Sequence, residues 1–212
     1  MNKNDVSTKT ALLEAAVKVF AAKGFSSATV REICQLANAN VAAVNYHFGG
    51  KDALYSAVLE HVIGRRTELF RTGDRDPDAS PEQRLEAYIR RKLRDIYALD
   101  GVTGLASDHW AIFLMEVANP SENLNLLVEQ YVQAAVDELR GIVAELLNLP
   151  PMDQEVQDSA LSIWGQLLDP LVMMPITDRL TPPRARVQED LDRFAEHMVT
   201  FTLGGLLAIR DS

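Results

Sequence analysis

Helical spacing of apolar residues runs through most of the chain. Between Thr8 and Lys23, Leu12, Ala16, Val19 and Phe20 recur at i, i+4, i+7 and i+8, one stripe of an amphipathic helix. Gly24 stands where such a helix ends. Thr29 and Glu32 have the spacing of a capping box, a hydroxyl followed three residues later by a carboxylate. The helix behind them places Val30, Ile33, Cys34 and Ala37 on its inner face. Asn38 tolerates a left-handed backbone, and Asn40 is a suitable N-cap for a helix over 41–48. Gly49-Gly50 breaks that helix, and Lys51 opens a longer one to about Phe70.

Residues 71–82 are polar, contain two prolines and read as a linker. Helical segments then follow at about 82–99, 104–118, 121–148, 153–174 and 184–209. Asn119-Pro120-Ser121, Leu149-Pro150-Pro151 and Thr181-Pro182-Pro183 separate them, and Pro170 is expected to kink the fourth. Period-2 alternation is absent, so the pattern predicts an all-α protein. Two late helices are apolar on more than one side. In 153–174 one stripe holds Val156, Ala160, Ile163, Leu167, Leu171 and Met174, and a second holds Leu161, Trp164, Leu168 and Val172. In the last helix Leu191, Phe194, Met198, Phe201 and Leu206 crowd toward the C-terminal end, with Gly204-Gly205 permitting close helix approach. A homodimeric four-helix interface would cover both surplus faces; a central place in a monomeric bundle is the alternative.

Charge changes the picture once it is divided. The 212 residues carry a formal charge of −9. Residues 1–72 hold nine Lys/Arg against six Asp/Glu, a net of +3, and the remainder holds 12 against 24, a net of −12. A mildly basic head on an acidic body suits a head that meets a polyanion. The single cysteine, Cys34, excludes an intramolecular disulfide framework and any cysteine-based metal cage. It falls on an apolar stripe and is expected to be buried and inert. His47 and His61 lie 14 apart with no carboxylate in step, so no metal site is expected. Phosphate-binding glycine loops, nucleophile elbows and paired acids in a cleft are missing, so neither an enzyme nor a cofactor is expected. A polar N-terminus without an apolar signal core, and no apolar run long enough to span a bilayer, predict a cytoplasmic protein with no membrane partner.

Residues 30–48 form two short helices joined by Asn38-Ala39-Asn40, with small residues at the crossing, which is the helix-turn-helix arrangement. On a helical wheel Val41, Val44 and Phe48 are expected to face the core. Ala42, Ala43, Tyr46 and His47 are expected outside, with Asn45 at the border. That outer face carries no carboxylate. Ala42 and Ala43 are short enough to let the helix lie deep in a major groove, and their methyls suit thymine. Tyr46, His47 and the Thr29 hydroxyl are donors for phosphate oxygens, and Lys51 stands at the first turn of the next helix.

The stretch ATVREICQLANANVAAVNYHFGGKDALY resembles the DNA-binding head of TetR-type transcriptional regulators, over about Thr10 to Val62. Thr29, Ile33, Ala37, the Tyr-His-Phe run, Lys51 and Leu54 carry the likeness, and NVAAVNYHFGGK is most similar to the CecR-like branch. The resemblance implies a three-helix head at 1–50, connected by helix 51–70 to a helical domain at 71–212 that binds an effector and dimerises. It implies a homodimeric repressor released from a palindromic operator in double-stranded DNA by a small-molecule effector. Phosphate contacts then map to Thr29, Tyr46, His47 and Lys51, and base contacts to residues 41–45, Val41, Ala42, Ala43 and Asn45 among them. Departures are Asn38 where glycine is usual, Ala39 where a larger aliphatic residue is common, and Asn45 where tyrosine is frequent. Met115-Glu116 stands where the branch often has Arg-Glu.

Trp110, Phe113, Trp164 and Met173 are candidate effector-pocket residues; helix-edge packing and adaptable core filling explain the same residues. Arg90, Arg91, Lys92 and Arg94 form the densest basic run, read as a solvated face or as a contact for an anionic effector. The competing function is a helical small-molecule binding protein or enzyme without DNA affinity.

Overall fold

A computed structural model describes residues 3–70, 78–97, 105–183 and 185–212. Among the described residues there is no β-strand. Helices run in the order α1 (Lys3–Ser27), α2 (Val30–Leu36), α3 (Val41–Phe48), α4 (Lys51–Phe70), α5 (Pro81–Tyr97) and α6 (Leu105–Ala118). They continue with α7 (Leu124–Leu127), a π turn (Val128–Val132), α8 (Gln133–Leu147), α9 (Gln154–Val172), α10 (Met174–Thr177) and α11 (Leu191–Arg210). The fold is all-α, as the periodicity requires.

The chain divides into two compact units. The first is drawn from Met1–Gly73 and Val102–Tyr131, the second from Asp74–Gly101 and Val132–Ser212. In the first, α1 packs on α2, α3, α4 and α6. Its centre is Leu12, Ala16, Phe20, Ile33, Val44, Leu54, Tyr55 and Val58, all at most 1% exposed. The Phe20 and Tyr55 rings meet edge to face at 4.7 Å, a geometry that adds to their area burial. Gly24 takes φ 70 and ψ 172, interrupting α1 one turn before its end. A Cβ there would already touch Met115 of α6, 3.6 Å from its sulfur. The expected end of the first helix at Gly24 is therefore a kink, and α6 packs against it.

Glu116 of α6 is 1% exposed and needs donors at such a depth. It accepts from the Tyr55 hydroxyl at 2.7 Å, the Ser121 amide at 2.8 Å and the Ser121 hydroxyl at 2.7 Å. Ser56 donates to the Asn123 side chain at 2.7 Å. These bonds tie α4 to α6 and its following turn, which is why residues beyond Val102 join the N-terminal unit.

The second unit is built from α5, α8, α9 and α11 around Leu85, Tyr88, Ile89, Leu93, Leu139, Val143, Val156, Ile163 and Leu167. Ser80 and Gln83 bond reciprocally at the start of α5, with the Ser80 amide donating to Gln83 at 2.8 Å and the Gln83 amide to the Ser80 hydroxyl at 3.3 Å. Most of the expected linker lies outside the described residues. The helix expected over 121–148 is instead a turn, the short α7, the π turn and α8. The last helix begins at Leu191 rather than at 184. Asp190 caps it by accepting from the Arg193 amide at 3.1 Å, while Arg186 is held outside the helix by Asp178 at 2.8 Å. Helix α9 runs through Pro170 to Val172, and the Tyr97 hydroxyl donates to the Leu167 carbonyl at 2.8 Å, just ahead of the proline.

Of the first stripe in 153–174, Val156, Ala160, Ile163 and Leu167 are buried and Leu171 and Met174 half-buried. Of the second, Trp164 and Leu168 are half-buried, whereas Leu161 is 72% and Val172 51% exposed. In α11, Phe194, Met198 and Leu206 are buried, whereas Phe201 is 64% exposed. Among the described residues, Leu161, Val172 and Phe201 are the parts of the surplus apolar faces that stay exposed.

Candidate nucleic-acid interface

The geometry of the helix-turn-helix follows from local side-chain caps. Thr29, in extended conformation, accepts from the Glu32 amide at 3.2 Å, and Glu32 accepts from the Thr29 amide at 3.1 Å, so the capping box forms as its spacing predicts. Asn38 adopts φ 49, the left-handed conformation expected for the turn. Its neighbour Ala39 donates to the Cys34 carbonyl at 2.9 Å, and the Cys34 thiol points at the Asn40 carbonyl at 3.6 Å. Burial pushes that thiol upward, consistent with an unreactive sulfur. Asn40 caps α3 through its side-chain oxygen, which accepts from the Ala42 amide at 3.0 Å. Gly49 ends α3 at φ 87, a left-handed cap that glycine adopts without strain.

Around α3 only Val44 is fully buried. Val41 is 46% exposed, correcting its expected core position. It lies in the first turn, where the helix already overhangs the core. Ala42, Asn45 and Tyr46 are exposed, Tyr46 at 77%, whereas Ala43, His47 and Phe48 are half-buried. The outward face is therefore rotated by about one residue, or roughly 100°, from the expected one. Asn45 moves from its border to its middle.

Two lysines and one carboxylate near this face are held by neighbouring groups. Lys51 rests 4.5 Å from the Phe25 ring centroid and donates to the Ser26 carbonyl at 3.4 Å. Lys9 lies over Phe48 at 5.7 Å. Glu32, the carboxylate nearest in sequence ahead of α3, is paired with Lys23, and Asp52 follows Lys51 in the first turn of α4. The Lys23 ammonium first, and the Thr29 hydroxyl and amide after it, hold the Glu32 carboxyl below the usual range. Thr29 donates its hydroxyl proton to that same carboxylate at 2.9 Å. A phosphate contact from Thr29 thus has to compete with Glu32, a constraint not visible in the spacing alone.

The four pocket candidates fall in different units. Trp110 and Phe113, half-buried on α6, meet edge to face at 5.3 Å in the first. Trp164 and Met173 belong to the second, both half-buried. The Trp164 indole donates to the Tyr88 hydroxyl at 3.1 Å, which donates to the Ala135 carbonyl at 3.1 Å. Of the basic run, Arg91 pairs with Glu138 at 2.7 Å and Lys92 with Asp95 at 3.7 Å, so it is only partly a solvated face. Burial pushes Lys92 below its ordinary value, opposed by Asp95. Sequence reading passed over Tyr55, whose partner Glu116 lies 61 residues away. Among the described residues no three His, Cys, Asp or Glu side chains are grouped as a metal site, and no helix is long and apolar enough to cross a membrane.

A capped helix-turn-helix with an uncharged exposed second helix, in an all-helical chain, defines the class as a helix-turn-helix DNA-binding regulator. A family model described as "Bacterial regulatory proteins, tetR family" matches residues 12–58. Another, "HTH-type transcriptional dual regulator CecR, C-terminal domain", matches residues 81–206, more than half of the chain. The chain belongs to the tetR family of bacterial regulatory proteins, with a CecR-type C-terminal domain. The probable HTH-type transcriptional regulator YttP of Bacillus subtilis is 47% identical over 65 residues, 31% of this chain and 30% of that protein. The HTH-type transcriptional repressor NicS of Pseudomonas putida is 42% identical over 82 residues. That match covers 39% of this chain and 38% of NicS, so the chain spans about a third of the length of these two relatives. A putative transcriptional regulator from Pseudomonas aeruginosa PAO1 has a similar structure, with a TM-score of 0.64 and 24% identity over 93% of this chain and 90% of that one. FadR from Bacillus subtilis in complex with stearoyl-CoA matches with a TM-score of 0.66 and 14% identity, over 92% and 98%. At these identities the structures share the fold alone.

Proposed function

We propose that the protein is a non-enzymatic, cytoplasmic, ligand-responsive repressor that binds a palindromic operator as a homodimer and leaves it when a small-molecule effector binds. The observation that carries this reading is the face of α3: exposed, free of carboxylates, and fixed at both ends by caps. In this division of labour residues 1–50 meet DNA, helix 51–70 connects, and 71–212 binds effector and partner. Val41, Ala42 and Asn45 lie toward the bases, with the half-buried Ala43 behind them; Tyr46, His47, Lys51 and Thr29 lie toward the phosphates. Lys51 is suited to that role because the Phe25 ring and the Ser26 carbonyl hold its ammonium at the start of α4. Uncovered Leu161, Val172 and Phe201 support a homodimer through α9 and α11. Two probes must then lie about 34–36 Å apart, or a multiple of that, to enter successive major grooves.

The name of NicS as a repressor supports the sign of regulation, and the stearoyl-CoA held by FadR supports a ligand-binding body. Trp164 and Met173, both of the second unit, are proposed to line the effector site. The effector acts by preferring one of two head arrangements, shifting DNA affinity by its differential binding. Titrating the purified protein with the DNA upstream of its own gene tests the reading. Saturable binding that is lost in the Tyr46→Ala, Lys51→Ala double variant is expected. Binding that survives both substitutions unchanged contradicts the phosphate grip.

A further inference from the structure

The exposed arc of α3 is chemically narrow. In angular order it holds Val41, Asn45, Ala42 and Tyr46, spread over roughly 140° at about 100° per residue, with buried Val44 behind. Asn45 lies in the interior of the arc, flanked by an isopropyl group and a methyl group. Helix α3 contains no Arg, Lys, Asp or Glu. The next cation in the chain, Lys51, is drawn back onto Phe25 and Ser26.

Such a surface cannot read all base pairs equally. Guanine is read by paired donors from Arg or Lys at O6 and N7, and the cytosine amino group by a carboxylate. The α3 arc has neither. An asparagine amide matches adenine, accepting from N6 and donating to N7, and small apolar groups match the thymine methyl. Resting on the reading of α3 as a groove probe, we propose that Asn45 is the specificity-determining residue of the head. It pairs with an adenine, and Val41 and Ala42 take thymine methyls beside it, so the core of each half-site is A·T. Tyr46 sits at the rim of the arc, where its hydroxyl meets phosphate and adds no sequence preference.

The test selects duplexes from a random library with the whole protein at fixed salt. The enriched duplex is then remade with 7-deazaadenine or deoxyuridine at single positions. Adjacent A·T pairs are expected in each half-site. Removing N7 at one adenine is expected to weaken binding about tenfold, and removing a flanking thymine methyl to weaken it severalfold. Asn45→Ala, at an exposed position, is expected to erase the N7 effect at that adenine and broaden selection there, with the salt dependence of affinity unchanged. Half-sites built on G·C at the contacted positions, or analogues that never change affinity beyond about twofold, overturn the A·T assignment while leaving DNA binding intact. A selection that enriches no sequence overturns both that assignment and the regulator reading it rests on.

Discussion

Buried polar side chains fix the N-terminal unit residue by residue. The Tyr55 hydroxyl is the donor from α4 to a carboxylate that is 1% exposed. Burial, reinforced by Glu116, holds this phenol far above its ordinary range, so the proton stays on Tyr55. Tyr55→Phe leaves Glu116 with its two Ser121 donors only, and is expected to lower unfolding free energy by about 1–3 kcal/mol in urea titrations. At the surface, Glu32 contributes through pH. Its folded pKa lies below the free value of 4.5 because of Lys23 and Thr29, so its contribution is full above that value. It fades as pH falls through the lower folded value. Acid titration of stability is therefore expected to flatten in that window for Glu32→Gln; an unchanged profile would show the Lys23 pair to be inert. The capping box was legible in the sequence because its two members are three residues apart. Glu116 was not, since its first donor arrives from a helix 61 residues earlier.

At the scale of one element, α3 shows where periodicity stops deciding. Its ends were legible: Asn40 and Gly49-Gly50 are local signals, and both act as expected. Its rotation was not. Val41, Val44, the two alanines and Phe48 leave apolar groups on several arcs of an eight-residue helix, and the choice among them is made by where α1, α2 and α4 approach. The observed rotation has a mechanical consequence. Val44→Ala removes buried side-chain volume and is expected to cost about 2 kcal/mol, whereas Val41→Ser stays within about 0.5 kcal/mol. Equal costs in thermal unfolding would mean that Val41 faces the core after all. The same rotation places Asn45, rather than Ala43, at the heart of the outward face.

For the whole molecule, the boundary read near residue 71 marks the linker by composition, while the compact units follow packing. Helix α6 joins the N-terminal unit through Met115 at Gly24 and through Glu116 at Tyr55. Contacts of that sequence separation leave no periodic trace. The doubled apolar stripes of α9 and α11 were legible, and their uncovered residues give a direct expectation. The protein is expected to sediment at twice its 23.5 kDa chain mass, and Phe201→Glu to reduce it to 23.5 kDa. A wild-type chain that sediments as a monomer at every concentration would remove the paired heads from the proposal. The remaining claim, that α3 and Lys51 meet duplex DNA, is tested most directly by the salt dependence of binding. Anisotropy titrations of the wild type and Lys51→Ala on one enriched duplex, across a salt series, are expected to give log–log lines of negative slope. The lysine variant is expected to be shallower by about two units, because each bound homodimer brings two Lys51 side chains to phosphates. Identical slopes would remove Lys51 from the interface, and affinity independent of salt would contradict a DNA-binding face on this head.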